Sequence, residues 1–284
     1  MKILTFTFFS SFLITSVFSQ QQGTSFDEAN RTKKAEFIYI YETLTHSEEY
    51  PNGLIYNNNG EFVGVLPTLV EAFEAYVKKE YGIIVTSKFI NPATSFAGFL
   101  NEIKTSAGGV FGLSSISITD ERKKQMSFSP TFLNNIDVMV THKDVPTLTS
   151  LQTIDSEFKG KTAYSIPSTT YYHTIESLKK ESFPSLVIKP VQTPIDVLNK
   201  ASSDENSFGY VDFILYLRSL ENRKSIKRHP IADVASDQYG IAMPLKSDWA
   251  SIIKDFFDTG YLQSLDYRKA ITNHIGNQAL RMVK

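Results

Sequence analysis

The chain of 284 residues contains no cysteine. That absence removes disulfides, thiolate metal ligands, a cysteine nucleophile and a lipid-anchored leader cysteine from consideration. Net charge is almost absent too: 29 lysines and arginines stand against 30 aspartates and glutamates, a formal charge of −1. A chain so balanced has no electrostatic footprint for nucleic acid or an anionic membrane. Its basic stretch at Arg223, Lys224, Lys227 and Arg228 reads as a solvated helix end. Catalytic spacings are lacking as well. No Gly-x-Ser-x-Gly turn occurs, and His46, His142, His173, His229 and His274 are scattered without metal-site spacing. Gly108-Gly109 precedes a strand and lacks the lysine of a phosphate loop, so no metal and no cofactor is expected. Internal repeats and low-complexity tracts are also missing.

What the chain does have begins with an export signal. Lys2 precedes an uncharged stretch over residues 3–18, and Val17-Phe18-Ser19 before Gln20 supplies small residues for cleavage. Sixteen uncharged residues, several of them Ser or Thr, are too few and too polar for a bilayer span. Residues 1–19 therefore read as a signal peptide cleaved near Ser19, with a periplasmic or secreted product. Removing them deletes Lys2 and no acid, which shifts the formal charge from −1 to −2.

Strand and helix periodicities then alternate, the pattern of parallel sheets covered on both faces. Phe37–Tyr41 reads as a first strand and Asn57-Asn58-Asn59-Gly60 as a turn. Leu69, Val70, Phe73, Tyr76 and Val77 recur at helical spacing before Gly82, and Phe96, Phe99, Leu100 and Ile103 do so after Ser95. Further on, strands are expected at Val138–Thr141, Leu186–Val191 and Phe208–Val211, and a return strand at Gln238–Pro244.

The segment Ser115-Ile116-Ser117-Ile118-Thr119-Asp120-Glu121-Arg122 carries the chemistry. It follows an apolar strand, Val110–Leu113, and places Thr119 as a helix N-cap with Asp120 and Glu121 in the first turn. Free backbone N–H groups and a nearby guanidinium suit a carboxylate. Taken singly, Arg122 also fits a solvated helix face, and Ser115 and Ser117 fit hydroxyls at a strand end. Through Phe128-Ser129 the segment resembles the signature of the family 3 extracellular solute-binding proteins, the amino-acid receptors of ABC transporters.

The resemblance spans about residues 37–277 and implies an α/β fold of two lobes. Each lobe would be a mostly parallel sheet flanked by helices, joined by two hinge crossings. Lobe 1 is expected at 34–140 plus 241–284, and lobe 2 at 141–240. In that family Ser115, Ser117, Thr119 and Arg122 fall where the ligand's α-carboxylate is held. Ser168 and Thr169 match the second-lobe loop that touches the same carboxylate, with Pro167 in place of the usual glycine. Asp212, at a strand end, matches the acid that receives the α-ammonium, and it would equally serve as an N-cap for the helix Phe213–Leu220.

Other positions depart from the family. Phe111 stands where many members have an acid, and Thr131-Phe132 replaces Pro-Tyr. Asn52-Gly53-Leu54-Ile55-Tyr56 replaces the loop that supplies a covering aromatic, leaving Tyr41 or Tyr56 as substitutes that would fit a core or surface role as well. The implied function is capture of an amino acid or similar small zwitterion by a monomer and delivery to a membrane permease, without catalysis. Two alternatives stay open. One is a dehydratase-like enzyme on the same fold, using an acid such as Glu61 or a histidine such as His173; the other is a ligand-sensing module for a separate receptor.

Overall fold

The computed structural model describes residues 20–42 and 53–282, so the expected signal segment and His46 lie outside the described residues. Helix α1 (Phe26–Thr32) precedes β1 (Lys34–Tyr41), the hairpin of β2 (Tyr56–Asn58) and β3 (Glu61–Val63), α2 (Val65–Tyr81) and β4 (Ile84–Ile90). Next come α3 (Phe96–Thr105), β5 (Val110–Leu113), the single-turn α4 (Asp120–Lys123), β6 (Met126–Phe128) and β7 (Leu133–His142). The chain continues through α5 (Ile154–Glu157), β8 (Thr162–Ser165), α6 (Thr170–Glu181), β9 (Val187–Pro190), α7 (Pro194–Ser203) and β10 (Ser207–Asp212). Helix α8 (Phe213–Glu221), β11 (Ile226–Arg228), β12 (Val234–Tyr239), β13 (Ala242–Pro244), α9 (Trp249–Asp258) and α10 (Leu265–His274) follow.

Local sequence accounts for most of these boundaries. Helix α2 buries Leu66, Leu69, Val70, Phe73 and Val77 along one stripe and stops at Gly82, whose φ of 67° closes the last turn. In the β2–β3 hairpin, Asn59 and Gly60 take φ of 53° and 94°, as a two-residue turn with left-handed central residues requires.

Two sheets result, and the α/β expectation holds. The first has strand order β4-β1-β5-β13-β6, the second β11-β7-β10-β8-β9 with β12 also beside β7. Each contains three parallel strands, β4-β1-β5 and β10-β8-β9, extended by antiparallel neighbours. All of β7 belongs to the second sheet, so the outward passage falls between Phe128 and Leu133 and not at residue 140. The polar run Asn134-Asn135-Ile136-Asp137 hides the start of that strand, because only its later half is continuously apolar. Likewise Gln238–Pro244 is not one strand; β12 ends in the second sheet at Tyr239 and β13 begins in the first at Ala242.

The two passages are bonded to each other. Ser129 N donates to Ile241 O at 2.9 Å and Phe132 N to Tyr239 O at 2.9 Å. The loop after β5 joins them, with Gly240 N donating to Ile116 O at 3.1 Å and Ile118 N to Gln238 O at 2.7 Å. A Cβ on Gly240 would lie 2.7 Å from Ile118 Cδ1, so a larger residue there would displace the Ile118 side chain.

The first core is aromatic: Trp249 lies 4.6 Å from Phe37, and Phe111 lies 4.9 Å from Phe37. Phe111 thus serves packing. Trp249 Nε1 donates to Thr24 O at 2.8 Å, fastening the segment before α1 to this core.

In the second unit a buried imidazole ties β7 to the following loop. His229 is fully enclosed, its Nδ1 accepts from Leu148 N at 2.9 Å, and its Nε2 meets Thr141 Oγ1 at 2.7 Å. Acceptance at Nδ1 fixes the neutral ring with the proton on Nε2. Burial first, then the nearby Lys227 and Lys161, push its pKa down to about 4. Since the unfolded chain protonates near 6.5, this contribution is complete above that pH and is lost as pH falls toward 4. Unfolding free energy should therefore drop by about 2–3 kcal/mol over that window from this group. Urea titrations of His229→Gln should show a correspondingly shallower decline, and parallel curves for the two proteins would refute the assignment.

Candidate functional site

The site grows from the loop after β5. Thr119 caps α4, its hydroxyl accepting from Arg122 N at 3.2 Å, and this turn directs the Arg122 side chain back across the loop. Nη1 donates to Ser117 O at 2.9 Å and Nη2 to Ser168 O at 3.2 Å, while the guanidinium carbon lies 5.4 Å from the centre of the Phe96 ring. One arginine therefore touches both sheet units. Ser117 is buried and bridges Tyr239 in the crossing segment.

From the other side comes the turn between β8 and α6. Pro167 fixes its own φ, and Ser168 takes a left-handed φ of 67°, which turns its carbonyl toward Arg122. Thr169 caps α6 by accepting from Tyr172 N at 3.3 Å and donates to Ile166 O at 2.6 Å.

Between these elements lies a small cavity of about 30 Å³, roughly one water molecule's share of the liquid. Ser115, Ser117, Arg122 and Thr169 line it together with Glu42 and Phe96. The first residues of three helices meet there, Phe96 of α3, Thr170 of α6 and Pro194 of α7, each capped by a hydroxyl from Ser95, Thr169 or Thr193. Three helix N-termini and a guanidinium bring positive potential to this space. The sequence placed that dipole on α4, but α4 is one turn and contributes little; the longer helices supply it.

Beside the cavity runs an open groove of about 1060 Å³, whose walls include Thr119, Arg122, Ser168, Tyr210, Asp233 and Val234. Arg122 borders both spaces. Asp233 at the groove edge pairs with Arg228 and holds the guanidinium in its charged form, raising its pKa above the ordinary value. Asp212 lines neither space among the described residues; it is buried and caps α8, accepting from Leu215 N at 2.9 Å.

A family model described as bacterial extracellular solute-binding proteins, family 3, matches residues 41–270. The chain belongs to that family. As a family 3 protein it shares its fold with solved structures of low identity. One is an ancestral arginine-binding protein bound to arginine, 19% identical with a TM-score of 0.65, covering 85% of this chain and 98% of that one. Another is the arginine-, lysine-, histidine-binding protein ArtJ from Geobacillus stearothermophilus, 18% identical with a TM-score of 0.65, covering 85% and 96%. A third is an ABC uptake transporter substrate-binding protein from Streptococcus pneumoniae with bound histidine, 17% identical with a TM-score of 0.65, covering 89% and 96%. No curated protein sequence matches.

Among the lining residues that escaped the sequence reading of this family 3 protein are Glu42 and Phe96. Glu42 is buried at the C-terminal end of β1 and accepts from Ser114 Oγ at 3.1 Å. The strand-end rule that singled out Asp212 applies to it equally. Phe96 stands in phase with Phe99, Leu100 and Ile103, so helical spacing gave no sign that it faces the cavity. Tyr41 instead packs on Phe62, 4.9 Å between ring centres, and Tyr56 lies in the hairpin; neither lines the cavity.

The left-handed Ser168 makes a test independent of any ligand. Glycine there relieves the Cβ penalty and should leave stability unchanged or raise it by up to about 1 kcal/mol. Ser168→Val should lower it by about 1–2 kcal/mol, since β-branching disfavours this conformation further. Thermal melts of the two variants check the order; Val at or above Gly would contradict the geometry.

Proposed function

We infer that this family 3 protein captures a free amino acid between its two lobes and delivers it to the membrane permease of an ABC transporter. The observation that carries the reading is the convergence of Arg122 and three helix N-termini on one small cavity bordered by both sheets. A carboxylate is the ligand group that satisfies them. Glu42 in the same lining is an acid that suits a cation, either the α-ammonium that every amino acid carries or a second cation on its side chain. L-arginine, L-lysine and L-histidine meet that description, and proteins of the same fold bind them. No helix among the described residues is long and apolar enough to cross a membrane, so a separate membrane partner is part of the proposal.

A dehydratase-like role finds less support. Glu61 is exposed on the hairpin, and His173 is exposed on α6, 3.4 Å from Glu176. Neither lines the small cavity; Glu61 lines neither space, and His173 borders only the open groove beside Arg122.

The cavity is smaller than any amino acid, so the lobes must part to admit one, with the bonded crossing segments as the hinge. Calorimetry against the common amino acids should find binding of a cationic one. Arg122→Ala should weaken it by about 30-fold or more, because a desolvated charged pair loses about 2–5 kcal/mol when truncated. Small-angle scattering should show a smaller radius of gyration at saturation. Unchanged affinity in the folded variant would remove Arg122 from the site, and turnover of the bound amino acid seen by mass spectrometry would favour the enzyme.

A further inference from the structure

Helix α8 faces both sheet units. Leu215 packs in the core of the second unit, whereas Ile214, the residue before it, belongs to the core of the first. Arg218 follows Ile214 by four residues and so shares its face of the helix. Its Nη2 donates to His274 O at 2.8 Å, 56 residues away at the end of α10, whose Tyr267 and Ile271 are buried in the first core. Nη1 donates to Glu221 Oε2 at 2.9 Å, one turn further along its own helix, which fixes the plane of the guanidinium.

The acceptor is well prepared. His274 O is among the last four carbonyls of α10, which lack partners within the helix, and it lies at the negative end of the helix dipole. Its place is fixed by Gly53, whose φ of 76° and lack of a side chain let the backbone close directly over that oxygen, where a Cβ would overlap it. The donor is less well served. Arg218 Nε is enclosed and finds no acceptor among the described residues, and only 28% of the side chain remains exposed. A desolvated donor without a partner costs about as much as a charge-assisted bond returns, so the contact stands close to balance. When the units part, Nη2 loses one carbonyl and Nε regains water.

Like Arg122, which donates to Ser168 O at 3.2 Å, Arg218 thus reaches across the boundary for a carbonyl. Arg122 borders the cavity and the groove, and Arg218 borders neither. We propose that Arg218 is a positioning residue for ligand capture: its bond to the end of α10 holds part of the ligand-free population closed and so sets affinity from outside the site. A ligand competes for the donors of Arg122 and leaves those of Arg218 alone, so this bridge persists in the loaded protein. The effect on affinity rests on the capture reading above; the effect on closure needs no ligand.

Two substitutions test it. Arg218→Met keeps an apolar stem and removes every donor, while Arg218→Lys keeps the charge and can still reach a carbonyl. Small-angle scattering of the purified, ligand-free protein should give a larger radius of gyration for Arg218→Met than for wild type, with Arg218→Lys between them. Calorimetry with L-arginine should show affinity lowered about threefold to tenfold in Arg218→Met and partly restored in Arg218→Lys, as a smaller closed fraction requires. At saturation the three radii should coincide. A ligand-free radius in Arg218→Met equal to that of wild type overturns the proposal, whether or not affinity falls, because the arginine then serves only local structure. If Arg218→Met does not fold, Arg218→Lys decides in its place, and a radius matching wild type with unchanged affinity overturns the proposal. If wild type binds no amino acid, the capture reading fails, while the ligand-free radii still decide whether the bridge holds the units together.

Discussion

Four backbone hydrogen bonds hold the loop after β5 and the two crossing segments as one unit: Ser129 to Ile241, Phe132 to Tyr239, Gly240 to Ile116 and Ile118 to Gln238. The site depends on this unit. Ser117 and Arg122 belong to the loop, so the groups proposed to meet a carboxylate are fastened to the strands about which the two sheets would turn. Gly240 leaves room for the Ile118 side chain, which a Cβ there would push aside. In the proposed role, binding and bending would share a backbone framework, with no chain of side-chain contacts needed to carry the coupling.

The electrostatics are divided in a way that serves the proposed role. Positive potential lies at Arg122 and at the starts of α3, α6 and α7, while buried acidic side chains lie at Glu42 and at Asp137 and Asp212. Enclosed from water, such charges act more strongly on a ligand than the same groups on a surface. Each sheet unit brings charge to the boundary, so a ligand carrying both signs interacts with both units only when they are together.

Much of this was legible in the sequence. The α2 stripe, the Asn-Gly turn and the Thr119 cap were readable because each rests on local physics: helical period, left-handed turn residues, a hydroxyl at a helix start. Pairings that depend on distant residues were not. The polar first half of β7 does not look like a strand, because it is held by partners about 75–100 residues away, in β10 and β12. Glu42 and Phe96 were passed over because a buried strand-end acid and an in-phase helix aromatic look the same whether they face a core or a cavity. Asp212 read as both cap and ligand group; the cap is visible directly, and Asp137 beside it could only be found through strand pairing.

In the first sheet, β13 lies between β5 and β6, although it follows them by more than a hundred residues. The second sheet is built entirely from the uninterrupted stretch 133–239. On a ribosome, the second unit can thus complete its strand pairings as soon as that stretch has emerged. The first must wait with a gap beside β5, its half-built edge exposed, until the last few dozen residues are made. The middle of the chain is finished before its beginning, and the vulnerable species during synthesis is the lobe that was started first.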